Sequence, residues 1–450
     1  MFEVDDTVFT KNIAYDYTSI ESIPAIEASD LSYSSFFNDF MLLNLPCIIK
    51  GITKNWQCLK CWITENNGLN FEYLEEHYGM DMVQVYNCKE RFYNTQKSYS
   101  CCFSDYINNI KDKPNVLINT SYEYVKNWHL QLNHPEERFY EVPIYFASDW
   151  LNEYYVNCMD DDYRFVYMGS NGTWTPFHAD VFSSYSWSAN VFGKKRWLIF
   201  PPGNEEILRN SLGDLPYDVE GKESISIARD CMSIRTESIS IAKESISTAK
   251  ESISSRKESM LIRSGHSSDT DKQCIEVVQN PGEAIFIPSG WYHQVQNISY
   301  AISVNHNWVN GCNINMMYES LLRALNDVKE EIKDYSEMDD FEQHCQLMLN
   351  AHFGMNFEQF YKFLLYIASK RMEMLQELCP KTLFHGQEIG TNHILFDLQS
   401  LKTVLEKFIT LDEIKVLDFF STVSPRPHDL FDEVSLILEI HSIFTNLGSK

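Results

Sequence analysis

Apolar and polar positions follow two different rhythms along this chain, and the change falls near Asn310. Before it, short runs rich in Val, Ile, Phe, Trp and Tyr recur over 165–168, 186–192, 196–200, 284–288 and 301–308. Turn residues bound them, among them Gly169 to Gly172, Gly193, Pro201-Pro202-Gly203, Pro281-Gly282 and Ser289-Gly290. This pattern predicts strands, and several in succession predict an antiparallel sandwich or barrel. After Asn310 the spacing becomes helical. Leu321, Leu322, Leu325, Val328 and Ile332 share one face, as do Phe360, Phe363, Leu364 and Ile367, and again Leu401, Val404, Leu405 and Phe408. The N-terminal part mixes both textures, with Leu45 to Gly51 reading as strand and turn and Phe71 to Tyr78 as a short helix. The expected organisation is a mixed α/β cap over 1–115, a β-rich core over 116–310 and a helical subdomain over 311–450. That makes an α+β protein.

One segment obeys neither rhythm. From Glu223 an acidic residue recurs every seven positions, at 223, 230, 237, 244, 251 and 258. A period of seven suggests a coiled coil, but Ile225 and Ile227 lie only two apart, as do Met232 and Ile234. A coiled-coil seam needs steps of three and four, and helical neighbours two apart point to nearly opposite sides. Rich in Ser and poor in aromatics, 221–268 reads as a solvated low-complexity insertion within the core. Loop-closure entropy grows only logarithmically with length, so the insertion should cost the fold about 1 kcal/mol or less.

Charge narrows the function. The chain carries 63 Asp+Glu against 37 Lys+Arg, a formal net charge of −26. Such a surface argues against nucleic acid or an anionic membrane as partner and leaves room for a cationic polypeptide. A hydrophobic share of 44% excludes whole-chain disorder. No apolar run reaches the roughly 18 residues of a membrane span, and the acidic start Met-Phe-Glu-Val-Asp-Asp lacks the basic region of a signal peptide. The expected location is the cytoplasm, with the nucleus second. Twelve cysteines without framework spacing, including the lone Cys58-Leu-Lys-Cys61 pair, read as buried thiols.

The chemistry concentrates in Trp174-Thr-Pro-Phe-His-Ala-Asp180. In an extended strand residues two apart project from one face, so His178 and Asp180 would stand side by side. The best third partner is His293, in Gly290-Trp-Tyr-His-Gln-Val-Gln296. Two imidazoles and one carboxylate on one face of an ion leave positions open, the facial arrangement of non-haem Fe(II) oxygenases. Thr175 and Lys195 would supply a hydroxyl and an ammonium for the distal carboxylate of a keto acid.

Three motifs in this order are jointly specific: Thr-Pro-Phe-His-Ala-Asp180, Gly193-Lys-Lys-Arg-Trp-Leu-Ile-Phe-Pro-Pro202 and Gly282-Glu-Ala-Ile-Phe-Ile-Pro-Ser-Gly-Trp-Tyr-His293. They resemble the jumonji-C class of 2-oxoglutarate oxygenases. Tyr185-Ser-Trp-Ser-Ala-Asn190, Leu215-Pro-Tyr-Asp-Val219, Ser148-Asp-Trp-Leu-Asn152 and Val304-Asn-His-Asn-Trp-Val-Asn-Gly311 extend the likeness toward one branch of that class. The resemblance spans roughly residues 30 to 375, and the heptapeptide insertion departs from it. It implies a double-stranded β-helix, a jelly-roll of the cupin type, holding Fe(II) by His178, Asp180 and His293. By the same likeness Thr175, Lys195 and Tyr124 would bind the 5-carboxylate of 2-oxoglutarate. Ser188 stands where some relatives place an Asn against the cosubstrate, and Asn305 would support the site. His306 competes as third ligand; next to Asn305 in a strand, it would point the other way and read as packing.

The class implies decarboxylation of 2-oxoglutarate to succinate coupled, through O2, to hydroxylation of a substrate carbon. The branch implies a lysyl hydroxylase that modifies C4 of a lysine in the translation release factor. Two other readings use the same residues: demethylation of methyl-lysine in histones or other proteins, and a non-catalytic binding protein on a degenerate jumonji fold.

Overall fold

The computed structural model describes residues 17, 20–93, 95–111, 122–221, 274–376 and 379–448. Apart from Gly221, the predicted insertion 221–268 lies outside them. Among the described residues thirteen strands form two sheets: β1 (Ala25–Glu27), β2 (Cys47–Lys50), β3 (Met82–Phe92), β4 (Thr95–Cys102), β5 (Glu123–Trp128), β6 (Arg164–Gly169), β7 (Trp174–His178), β8 (Tyr185–Phe192), β9 (Lys195–Phe200), β10 (Ile275–Gln279), β11 (Glu283–Ile287), β12 (Tyr292–Asn297) and β13 (Ala301–Trp308). The larger sheet runs β1-β2-β11-β8-β13-β6-β5-β3-β4 and the smaller runs β10-β9-β12-β7. Every pairing is antiparallel except that of β1 with β2.

From β6 to β13 the chain passes back and forth between the sheets. Strands 6, 8, 11 and 13 enter the large sheet, and strands 7, 9, 10 and 12 make up the small one. Two facing four-stranded faces wound in this way are a double-stranded β-helix, the jelly-roll architecture. The expected strands are all present. Those that sequence pattern missed are β1, β5 and β10, together with β3 and β4, which are exposed over much of their length, and β12, whose Gln294 and Gln296 break the apolar run. At one end of the barrel Trp197, Ile199 and Ile275 meet Ile48, Ile285 and Ile287 in an apolar plug.

Residues N-terminal to the barrel do not stand apart from it. β1 and β2 extend one edge of the large sheet, and β5, β3 and β4 extend the other. In the chain, residues 222–273 come between β9 and β10, which are adjacent in the small sheet.

Helices Ile314–Glu331, Phe341–Phe353, Phe357–Met374, Thr391–Thr410 and Pro427–Gly448 follow the last strand. None of the described helices is long and apolar enough to cross a membrane. The start of Phe357–Met374 is set by a reciprocal cap: the Asn356 side chain accepts from Gln359 N–H at 3.0 Å, and the Gln359 side chain accepts from Asn356 N–H at 2.9 Å. This helix is tied to the core through Arg371, which is fully buried. Its guanidinium donates to Asp397 of helix Thr391–Thr410 at 2.8 Å and to Glu153 of helix Trp150–Cys158 at 3.2 Å. Removing one member of such a group strands the others in a dry interior. Arg371→Ala is therefore expected to cost about 3–5 kcal/mol of stability, read as a lower urea midpoint or melting temperature.

Candidate active site

A cavity, partly open to solvent, lies between the two sheets. Its wall includes all eight residues singled out from sequence: Tyr124, Thr175, His178, Asp180, Ser188, Lys195, His293 and Asn305. Strand periodicity explains most of this. Lys195 and Trp197 on β9, His293 and Val295 on β12, Ser186 and Ser188 on β8, and Asn305 and Asn307 on β13 are two apart, so each pair faces the same side.

Thr175 and His178 break that rule. Three apart, they would face opposite sides of a regular strand. The ladder between β7 and β12 resolves the conflict with a bulge: His178 pairs with His293, but Thr175 pairs with Val295. One extra residue of β7 is absorbed there, and both side chains reach the cavity. Asp180 lies just past the ladder in extended conformation (φ −67°, ψ 149°). The chain then turns sharply through two left-handed residues, Phe182 (φ 57°) and Ser183 (φ 50°). For a residue as bulky as Phe such a backbone costs on the order of 1–3 kcal/mol. Burial of the Phe182 ring against Tyr163 and Phe353 holds it in place.

The turn that delivers Lys195 depends on Gly193 (φ +75°), where a Cβ would sit 1.8 Å from the Tyr300 carbonyl oxygen. No other residue fits that approach.

His178, Asp180 and His293 offer ligand atoms that all lie within 4.8 Å of one another. Both imidazoles are oriented the same way. His178 Nδ1–H donates to the Pro176 carbonyl at 2.8 Å and His293 Nδ1–H to the Trp291 carbonyl at 2.9 Å. Each bond fixes the tautomer and leaves the Nε2 lone pair free, the state a metal requires. Burial, reinforced by the neighbouring His293, pushes His178 down to about 4, so it is neutral near pH 7. Asp180 is held at both oxygens: Ser186 Oγ–H donates to Oδ2 at 2.6 Å, and Asn307 Nδ2 donates to Oδ1 at 2.9 Å. One lone pair per oxygen is left over.

At the other side of the cavity Lys195 is buried, and burial lowers it to about 7. Its ammonium donates to Ser303 Oγ at 2.6 Å, and among the described residues no carboxylate lies within ion-pair distance. Ser188 Oγ and Asn305 Oδ1 are buried in the same wall without a hydrogen-bond partner. An uncompensated cation, orphaned polar atoms and an open two-imidazole, one-carboxylate set fit a divalent ion together with a dicarboxylate. The donor set suits Fe(II), and the buried ammonium suits the far carboxylate of a keto diacid.

His306 is not part of this group. It is fully buried on the opposite face of β13, bonded to Tyr140 Oη at 2.8 Å and stacked near Trp187. Sequence reasoning missed Ser186, Asn307, Ser303 and Tyr167. Asn307 was findable, since it lies two residues beyond Asn305 on a strand. Asn307→Ala should weaken metal binding about 10–100-fold while preserving the fold, as measured by metal titration and circular dichroism.

A second, wider groove shares Thr175, His178, Asp180, Tyr167 and Asn307 with the cavity. It continues outward past Tyr86, Lys126, Phe165, Asp161 and Asp162. Asp162 is buried and held by Arg164 and His129, each at 2.7 Å, whereas the Asp161 carboxylate is about half exposed.

Comparison with known proteins agrees with this geometry. The family described as "Cupin-like domain" matches residues 33–314. The chain is 38% identical over 416 residues to mouse 2-oxoglutarate and iron-dependent oxygenase JMJD4, covering 90% of this chain and 88% of that protein. The zebrafish protein of the same name is 36% identical over 443 residues, with 94% of each chain covered. Arginine-specific demethylase JMJ20 of Arabidopsis thaliana is 33% identical over 410 residues, covering 87% of this chain and 80% of that one. The chain therefore belongs to the jumonji-C, cupin-like family of 2-oxoglutarate- and iron-dependent oxygenases, enzymes that work with Fe(II), 2-oxoglutarate and O2.

Proposed function

We propose that this oxygenase is a protein lysyl hydroxylase that modifies C4 of a lysine in the translation release factor, within an Asn-Ile-Lys-Ser stretch. It would do so in the cytoplasm and so promote termination. In this reading His178 and His293, through Nε2, and Asp180, through a carboxylate oxygen, hold Fe(II). Lys195, with the Thr175 and Tyr124 hydroxyls, receives the 5-carboxylate of 2-oxoglutarate, and Ser188 and Asn305 line its other side.

When bound, iron and cosubstrate supply the oxidising chemistry: one atom of O2 enters a substrate C–H bond, the other enters succinate, and CO2 leaves. The chain's own residues do the rest. The Pro176 and Trp291 carbonyls hold both imidazoles in the ligating tautomer. Ser186 and Asn307 keep the Asp180 carboxylate aimed. Trp197 and Val295 close the floor of the cavity against water.

The observation that carries the substrate class is the outer groove. Its aromatic walls, Tyr86, Phe165 and Tyr167, and its exposed Asp161 suit a polypeptide bearing a long cationic side chain, whose methylenes lie along rings while its charge meets a carboxylate. The net charge of −26 favours the same partner by steering. Demethylation is the competing chemistry, favoured by the relative named as an arginine demethylase. Incubating the protein with Fe(II), 2-oxoglutarate and recombinant release factor decides between them by peptide mass. A gain of one oxygen on an unmethylated lysine supports the proposal. An unmodified release factor, with methyl loss from a methylated lysine or arginine peptide instead, overturns it.

A further inference from the structure

We propose that Asp149, His306 and His385 form a second metal site, a zinc centre that fastens the C-terminal region to the β-helix. The three residues come from distant parts of the chain. Asp149 caps helix Trp150–Cys158, His306 lies on β13, and His385 sits at a tight turn in the C-terminal region. In that turn Leu383 N–H donates to the Gln387 carbonyl and Gly386 N–H donates back to the Leu383 carbonyl, both at 2.8 Å, with Gly386 at φ +87°. A side chain at such a turn normally meets water, yet the His385 side chain is only 8% exposed and points at a buried carboxylate.

The spacing is that of ligands around an ion. Asp149 Oδ2 lies 3.3 Å from His385 Nε2 and 3.8 Å from His306 Nδ1, and all three donor atoms fall within 4.8 Å. Atoms bound tetrahedrally at about 2.0–2.1 Å from zinc sit roughly 3.4 Å apart. By contrast 3.8 Å is too long for a hydrogen bond, and His306 Nδ1, fully buried, has no hydrogen-bond partner. On its other side Tyr140 Oη lies 2.8 Å from Nε2 and can accept that proton, which leaves the Nδ1 lone pair toward Asp149.

Charge makes the same point. Asp149 is buried, and its carboxylate accepts from the side-chain amide and backbone N–H of Asn152, at 2.7 and 2.9 Å, and lies at long hydrogen-bond distance, 3.3 Å, from His385 Nε2. Among the described residues no Lys or Arg lies within ion-pair distance of it. A buried carboxylate with no Lys or Arg partner is an arrangement that a dication would balance. Imidazole and carboxylate donors suit zinc, and a cavity lined by His385, Tyr140, Glu141, Arg138 and Arg164 adjoins the group at His385. The site is separate from the oxygenase centre, because β13 turns His306 away from the face that carries Asn305 and Asn307.

The test removes the iron ligands first. The full-length His178→Ala/His293→Ala variant, loaded with zinc and then desalted, is expected to retain about one zinc per chain by elemental analysis. Adding His385→Gln should bring this near zero, with an unchanged circular dichroism spectrum and a melting temperature equal to that of the chelator-stripped parent. A parent variant that holds no zinc overturns the proposal, as does one that keeps its zinc after His385→Gln. If the Gln variant does not fold, His385→Asn in the same background takes its place and is read by the same zinc count.

Discussion

His178→Ala is expected to lower 2-oxoglutarate turnover by more than about 100-fold, because it removes a direct donor to the iron where loss of a mere supporting bond already costs 10–100-fold. The substitution should leave the barrel intact. His178 ends β7 and is paired with His293 through backbone, which alanine retains. The missing imidazole takes with it one of the three donors that converge within 4.8 Å, and Asp180 and His293 alone cannot hold a divalent ion in a facial arrangement. Iron content after desalting should therefore fall together with succinate formation, while the circular dichroism spectrum stays that of the wild type. Full turnover in this variant would mean that the triad is not the metal site. A collapse of the spectrum would call for Asp180→Ala, which lies beyond the ladder, and the same pair of measurements.

Why so much of this site was legible in sequence, and where legibility stopped, both follow from the strand period. His178 with Asp180, and the inward pairs on β8, β9, β12 and β13, are two apart, so a sequence motif translates directly into one face of a sheet. Lys195 was legible from its place 17 positions after His178, within the motif Gly193-Lys-Lys-Arg-Trp-Leu-Ile-Phe-Pro-Pro202. What could not be read was pairing across strands. Ser186 and Asn307 hold Asp180 only because β8 and β13 are neighbours in the large sheet, and Ser303 meets Lys195 across the two sheets. Local spacing carries no trace of either contact. The exposed hairpin β3–β4 escaped for a different reason: with little of it buried, its apolar alternation is confined to Val83 and Val85. Helices Phe341–Phe353 and Pro427–Gly448 have few buried side chains among those described, and were legible only as parts of the helical subdomain, without bounds of their own.

Lys195→Met should reduce affinity for 2-oxoglutarate by roughly 100-fold at pH 7, about 3 kcal/mol, the middle of the range for truncating one partner of a buried charge pair. The wild type should also show a pH dependence that the variant lacks. In the empty site burial lowers the Lys195 ammonium to about 7. The 5-carboxylate needs the charged form, so above pH 7 binding must take up a proton that the empty enzyme no longer carries. Dissociation constants should then rise about tenfold per pH unit from 7 upward, until the pKa of the occupied site is reached, and stay flat with respect to this group below 7. Calorimetric titration under nitrogen, repeated in buffers of different ionisation enthalpy, reads both the affinity and the proton uptake. Stability runs the other way. A lysine whose folded pKa lies below its unfolded value makes the fold less stable at pH 7 than at pH 10, because the unfolded chain binds more protons in that window. Methionine removes the penalty, so the variant should melt no lower than the wild type near neutral pH. Lost affinity with retained or raised melting temperature would mark Lys195 as a cosubstrate-binding group kept at a cost to stability. Unchanged affinity and an unchanged pH slope would show that the buried ammonium does not meet the cosubstrate at all.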